Sequence, residues 1–146
     1  ELKNKSIGDG RTMKIERTPP SADELANMYQ IAGWIDDPNP DKMLKSVNSG
    51  SEWFVARDLD EIIVGIGRLI TDYVRYGFII DVIVKEQHRK KGVATSIMQA
   101  VIAECRRLDL DSVNLWPSEG KMPFYEGLGF YSLPATQPHM KLRPEN

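Results

Sequence analysis

The chain has 146 residues, 41% of them hydrophobic and 27% charged, with a net charge of −2 at pH 7. That size and apolar share suit one domain with a core of its own, and the near-neutral balance argues against nucleic acid or an anionic membrane as partner. No apolar run approaches the roughly 20 residues that span a bilayer. No leader pattern is present either, so a cytoplasmic setting is expected. Cys105 is the sole cysteine, which excludes an internal disulfide, and it is expected to act as a small buried hydrophobe.

In chain order, residues 1–11 (ELKNKSIGDGR) are polar and glycine-bearing. They are expected to be a flexible segment, or foreign to the native chain with Met13 as its start, ahead of a single domain over 12–146. Thr12 to Arg17 alternates as a first strand. Pro19-Pro20 breaks it, and Ser21-Ala-Asp-Glu24 is a capping box that opens a helix to about Ile31, closed by Gly33. A second helix follows Pro40, carries Met43, Leu44 and Val47, and stops at Gly50. Trp53–Arg57 and Glu61–Ile70 read as a hairpin. Within it, Gly65-Ile-Gly67 predicts a strand passing close to another backbone. No helix follows that pair, so it is not a nucleotide loop. Tyr73–Val84 reads as a long central strand. After a long helix come a short strand, Ser112–Trp116, a short helix, Met122–Glu126, and a last strand near His139–Leu142. The pattern predicts an α/β (α+β) mixed sheet with helices on both faces.

The stretch Ile79–Ala103 organises the rest. An apolar, β-branched run ending at Val84 leads into a basic turn, His88-Arg89-Lys90-Lys91-Gly92. A helix follows, with apolar residues at Val93, Ile97, Ala100, Val101 and Leu108. The first turn of a helix leaves N–H groups unpaired and favours negative charge, and a glycine there admits close approach of a ligand. The turn therefore reads as a phosphate cradle, against the plainer account of a solvated helix start. A dinucleotide fingerprint is absent. His88 and His139 lack ligand spacing, so no metal is expected.

The segment Val84-Lys-Glu-Gln-His-Arg89-Lys-Lys-Gly92-Val-Ala94 resembles the acetyl-CoA signature of the GNAT superfamily of N-acetyltransferases, [Q/R]-x-x-G-x-[G/A] after a valine-rich strand. Phe124-Tyr125-Glu-Gly-Leu-Gly129-Phe130 resembles the FYxxLGF segment that carries the family's tyrosine. Ala94 stands where glycine is commoner, and Ser118 where many members have a pantetheine-binding asparagine. The resemblance implies the GNAT fold, a mostly antiparallel sheet of 6–7 strands whose central strands splay apart. It also implies acetyl-CoA as cosubstrate. The N–H groups from Arg89 through Lys90, Lys91, Gly92, Val93 and Ala94 to Thr95 would surround the pyrophosphate, with the three basic side chains adding charge. Val82, Ile83 and Val84 would pair with pantetheine, and Ser118 and Tyr125 would complete the cofactor site.

Transfer of acetyl to an amine needs a base, an oxyanion donor and an acid at the departing sulfur. The resemblance assigns the donor to Val82 or Ile83 and the acid to Tyr125. Asp81 is a carboxylate in an otherwise apolar strand, IIDVIV, which invites a role as base. The alternative is a strand-end aspartate bonded to a backbone amide or to an arginine such as Arg68. Trp34, Arg68, Tyr73 and Trp116 are candidate substrate residues, with Asp36 and Asp37 on the same side, and the two tryptophans could form an aromatic wall for an amine. The expected acceptor is the primary amine of a small molecule, attacked directly, and a homodimer is compatible with the pattern. The alternatives are a protein or peptide N-acetyltransferase and a non-catalytic acyl-CoA-binding domain.

Overall fold

A computed structural model describes residues 5–6 and 12–145. The chain divides into two compact units, the second beginning at Trp116. The first unit grows from a hairpin of β3 (Glu52–Asp58) and β4 (Ile63–Thr71), preceded in the chain by β1 (Lys5–Ser6) and β2 (Thr12–Glu16). Asp58 shapes the connecting turn by accepting the N–H groups of Asp60 and Ile62 at 2.9 and 3.0 Å. β2 (Thr12–Glu16) adds antiparallel to β3, and β5 (Tyr76–Val84) antiparallel to β4. β6 (Ser112–Leu115) then runs parallel to β5. β1, only Lys5–Ser6, pairs with the start of β2. The sheet thus has six strands in sequence order, five of them of ordinary length. Of the segment 1–11 expected to be flexible, the paired residues 5–6 are described and the rest lies outside the described residues.

Helices cover both faces, as the pattern predicts. On one face, α1 (Ala22–Ile31) and α2 (Pro40–Val47) contribute Leu25, Met28, Tyr29, Met43 and Val47 to a buried cluster with Trp53, Val55, Ile66 and Ile83 of the sheet. The opposite side of β4 presents Gly65 and Gly67 to α3 (Val93–Arg107). A Cβ built on Gly67 would lie 2.6 Å from Ile97 Cγ2, and one on Gly65 would lie 3.0 Å from Ile97 Cδ1. The glycine pair therefore admits helix side chains at close range, not chiefly another backbone as the sequence suggested. Ile97 is fully buried and its Cγ2 is fixed on the β-carbon. Gly67→Ala is expected to destabilise the fold by about 1–3 kcal/mol, read as a lowered urea midpoint at unchanged slope.

The first turn of α1 carries out its capping box. Ser21 Oγ accepts the Glu24 N–H at 3.1 Å, and Glu24 Oε1 accepts the Ser21 N–H at 2.9 Å. The same carboxylate takes two N–H donors of Arg57 on β3, at 2.6 and 2.9 Å. The Arg57 guanidinium beside it holds the Glu24 carboxyl at about 2, against an ordinary 4.5. A depressed carboxyl stabilises the fold above its ordinary value and ceases to do so as pH falls through the folded one. Wild type should therefore exceed Glu24→Gln in urea midpoint at pH 7, and the gap should close between pH 4.5 and about 2. A gap that is constant with pH would remove the ion pair from α1 anchoring.

Most strand boundaries shift by one or two residues from the sequence reading, and the larger differences have local causes. β5 starts at Tyr76 instead of Tyr73, because Asp72 Oδ1 accepts the N–H groups of Val74, Arg75 and Tyr76 and folds those residues into a turn. β6 ends at Leu115, one residue short of Trp116. The expected strand near His139–Leu142 is absent: these residues are exposed and, among the described residues, have no ladder partner. Pro134 and Pro138 flank a turn closed by Gln137 N–H to the Pro134 carbonyl at 2.8 Å, and alternation alone gives no strand without a neighbour to bond. The second unit holds α4 (Met122–Glu126), with Tyr125 edge-on to Phe124 and Phe130 at centroid distances of 5.0 and 6.1 Å.

Candidate active site

The register between β4 and β5 contains one irregularity. Arg68 lies opposite Ile80 and Ile66 opposite Ile83, so Gly67 alone faces the two residues Asp81 and Val82. This is a β-bulge, and Asp81 adopts a φ of 54° within it. Aspartate is among the few side chains that tolerate this left-handed conformation. β6 accompanies β5 only from Tyr76 to Ile79. Beyond the bulge β5 has β4 on one side and, among the described residues, no strand on the other. Lys85 N–H donates to the Val64 carbonyl on β4 at 3.0 Å. By alternation, Val84 then turns its N–H and carbonyl toward the open side.

That open edge leads directly into a second set of unpaired donors. After a short 3-10 turn, Glu86–His88, the Arg89 N–H is taken by the Glu86 carbonyl at 3.2 Å and its Nε by the Val84 carbonyl at 3.1 Å. Arg89 therefore braces the turn with its own amide and cannot also offer that amide to a ligand, a narrower set than the sequence suggested. Lys90 and Gly92 take φ values of 59° and 82°. The first bond of α3 runs from Ser96 N–H to the Gly92 carbonyl at 3.0 Å, and no side chain caps the helix. The amides of Val93, Ala94 and Thr95 thus lie outside the helix's own ladder. A Cβ built on Gly92 would meet nothing within 4 Å. Space, donors and a 15-residue helix dipole suit an anion there.

On the face covered by α1 and α2, the carboxylate of Asp81 meets two donors. Tyr29 O–H donates to its Oδ2 at 2.6 Å, and Arg68 Nη1 reaches the same oxygen at 3.4 Å. Arg68 is buried and is held by Ser46 Oγ, the Ser46 carbonyl and Ser49 Oγ at 2.8, 3.0 and 2.8 Å. Its guanidinium sits 4.5 Å from the centre of the Trp53 ring. Burial, then the neighbouring Asp81, pushes the Tyr29 phenol up to about 12, so it remains a donor at any working pH. Trp34 stands half-exposed with its ring 6.0 Å from that of Tyr29.

The sequence paired Asp81 with Arg68 as one of its two alternatives, and the structure brings them together. It does not identify Tyr29, whose position beside Leu25 and Met28 on the apolar side of α1 carries no signal beyond packing, nor Ser46 and Ser49. Tyr73 lies in the β4–β5 turn, where its hydroxyl donates to Glu52 Oε1 at 2.5 Å, with the Gly50 carbonyl at 3.2 Å as a competing acceptor. In the second unit, Trp116 stacks on His139 at 4.7 Å, Ser118 is exposed, and burial raises the Tyr125 phenol. Cys105 is buried, which pushes its thiol up to about 11 and keeps it protonated. Among the described residues no group of three or more His, Cys, Asp or Glu could hold a metal ion, and no helix is long and apolar enough to cross a membrane.

The strand order, the one parallel pair, the bulged central strand and the uncapped helix that follows define an acyltransferase-type fold. A family model described as acetyltransferase (GNAT) family matches residues 15–130, a span that runs through both units. The chain belongs to this family of acetyl-CoA-dependent acetyltransferases. Solved structures share the fold at low identity. A protein of unknown function from meticillin-resistant Staphylococcus aureus superposes with a TM-score of 0.79 at 17% identity, covering 90% of this chain and 99% of its own. A GNAT-family acetyltransferase of Streptococcus pneumoniae gives 0.74 at 24%, covering 91% and 98%. Glucosamine-6-phosphate N-acetyltransferase of Arabidopsis thaliana gives 0.67 at 16%, covering 91% and 99%. No protein of curated function matches the chain.

Proposed function

We propose that this protein moves the acetyl group of acetyl-CoA to a primary amine of a small molecule, in a cytoplasmic setting and by direct attack. The observation that carries the reading is the open edge of β5 from Ile80 to Val84, continuous with the unpaired amides at the start of α3. A pantetheine chain bears amide groups that can bond to a strand edge, and a pyrophosphate suits a helix N-terminus. In this reading Val82, Ile83 and Val84 hold pantetheine. Gly92, Val93, Ala94 and Thr95 receive the phosphates, with Arg89, Lys90 and Lys91 supplying positive charge and Ser118 contacting the arm.

The reaction adds the amine nitrogen to the thioester carbonyl, places charge on its oxygen, and expels the thiolate. A backbone N–H at Val82 stabilises the oxyanion; the Ile83 N–H, the other candidate, is turned toward β4 by the alternation that opens Val84. Asp81, beside the Val82 amide, attracts the ammonium form of the acceptor and takes its proton, directly or through water. Tyr125 protonates the departing sulfur, and burial, which disfavours the phenolate, keeps the phenol protonated. Trp34 and Trp116 are the aromatic side chains we assign to the acceptor, and Arg68 and Tyr73 the polar ones. The Arabidopsis neighbour is named for acetylation of an amino sugar phosphate, which is consistent with a small amine as the acceptor class and says nothing of the particular substrate.

Release of free CoA, scanned over polyamines, arylalkylamines, amino acids, aminoglycosides and short peptides, tests the reading. Turnover with one small-amine class supports it. Turnover with peptides alone would assign a protein acceptor, and acetyl-CoA binding without turnover would assign a non-catalytic domain. With the accepted amine, Tyr125→Phe should lower kcat by about 10²-fold while calorimetric affinity for acetyl-CoA stays within about twofold, the split expected of a group acting only in the transition state. An unchanged rate would take Tyr125 out of the mechanism.

A further inference from the structure

We propose that Tyr29 is a positioning residue for acyl transfer: its hydroxyl, bonded to Asp81, pins the bulge of β5 against α1 and so fixes the backbone at Val82 and Ile83. The inference rests on the acetyltransferase reading above and assigns a role in it to a side chain on another element. Asp81 holds a φ of 54°, a conformation sparsely populated by residues with a side chain and kept only where the surroundings determine it. Two donors converge on Oδ2. The Tyr29 bond, at 2.6 Å, is the short one, and the Arg68 contact, at 3.4 Å, lies at the edge of hydrogen-bonding distance.

Arg68 cannot close that distance freely. Three bonds to Ser46 and Ser49 tie it to the end of α2, and the Trp53 ring lies under its guanidinium. Tyr29 is better suited to the task. Its ring is packed in the cluster formed with Leu25, Met28, Ile66 and Ile83, so the hydroxyl projects from a fixed point. Ile83 belongs to that same cluster, immediately after the bulge. α1 thus grips β5 twice: apolar contact with Ile83 and a hydrogen bond to Asp81. The amides that would meet the thioester lie between these two anchors. Loss of the hydroxyl leaves Asp81 with the long Arg68 contact alone and frees the bulge to sample other conformations. The phosphate cradle is formed by different residues, 92–95, and is not touched.

Tyr29→Phe removes one oxygen and keeps the ring in the core, so the variant is expected to fold. With an amine that wild type acetylates, kcat should fall about tenfold, the effect of one lost charge-assisted bond. KM for acetyl-CoA should stay within about twofold. Amide hydrogen exchange of the peptide covering 79–84, followed by mass spectrometry without any ligand, should quicken in the variant. Ser21→Ala provides the comparison. It weakens α1 through its cap and leaves the Tyr29 hydroxyl in place, and it should alter neither kcat nor exchange at 79–84. Unchanged kcat or unchanged exchange in Tyr29→Phe overturns the proposal, as does an equal loss in Ser21→Ala, which would reduce Tyr29 to general helix stability. If wild type acetylates no amine, the functional reading fails separately, and the exchange comparison still decides whether Tyr29 holds the bulge.

Discussion

One extra residue in β5 governs the geometry of this protein. Two residues facing Gly67 bend the strand at Asp81 and Val82, just past Ile79, where pairing with β6 ends. A regular strand could be flanked on both sides along its whole length and would have its amides consumed by neighbours. Here the second half of β5 keeps one side open, and the chain passes from that edge into a helix whose first turn is also uncapped. Two stretches of unsatisfied donors are thereby placed in series. Unpaired backbone groups are costly only when sealed from water, and here Gly92 is exposed while Val82, Val84, Ala94 and Thr95 are half-buried, so the edge stays accessible.

Holding the bend requires charge in a place that disfavours it. Arg68 is buried, and its Nε has no hydrogen-bond partner among the described residues. An isolated buried guanidinium would be strongly unfavourable. Its cost is offset by the two serines at the end of α2, by the Trp53 ring and by Asp81. Buried ion pairs add little to stability against apolar replacements, and their better-supported use is to specify one arrangement over others. This one ties α1, α2, β4 and β5 together at the bulge. An apolar substitute could fill the same volume but could not dictate the conformation of Asp81.

Much of this architecture was legible in the sequence, and the reasons are local. The Ser21–Glu24 box starts α1 because its donors and acceptors lie within four residues. Gly92 marks the helix start because it takes a φ that other residues avoid. Asp81 is a charge in an apolar strand, which calls for a partner such as Arg68. What could not be read depends on contacts distant in the chain. Tyr29 lies 52 residues from Asp81, and its helical face looks the same whether its hydroxyl is used or idle. The missing strand at 139–142 has the right alternation, but a strand exists only by pairing, which sequence pattern does not supply. Tyr73 fell outside β5 because a single aspartate, Asp72, collected three successive amides.

This division also explains why the family is easy to recognise and the acceptor is not. The surfaces suited to acetyl-CoA are made of backbone: a strand edge and a helix terminus. Such surfaces ask little of side-chain identity except where a φ or a close approach favours glycine, as at Gly92 and Gly67. Chains sharing only 16–24% of their residues can therefore keep the same fold over 90% or more of this one. The Asp81 cluster is built differently. Arg68 and Tyr29 reach Asp81 from 13 and 52 residues away in the chain. Signature residues mark the backbone surfaces, and a meeting of distant side chains has no signature.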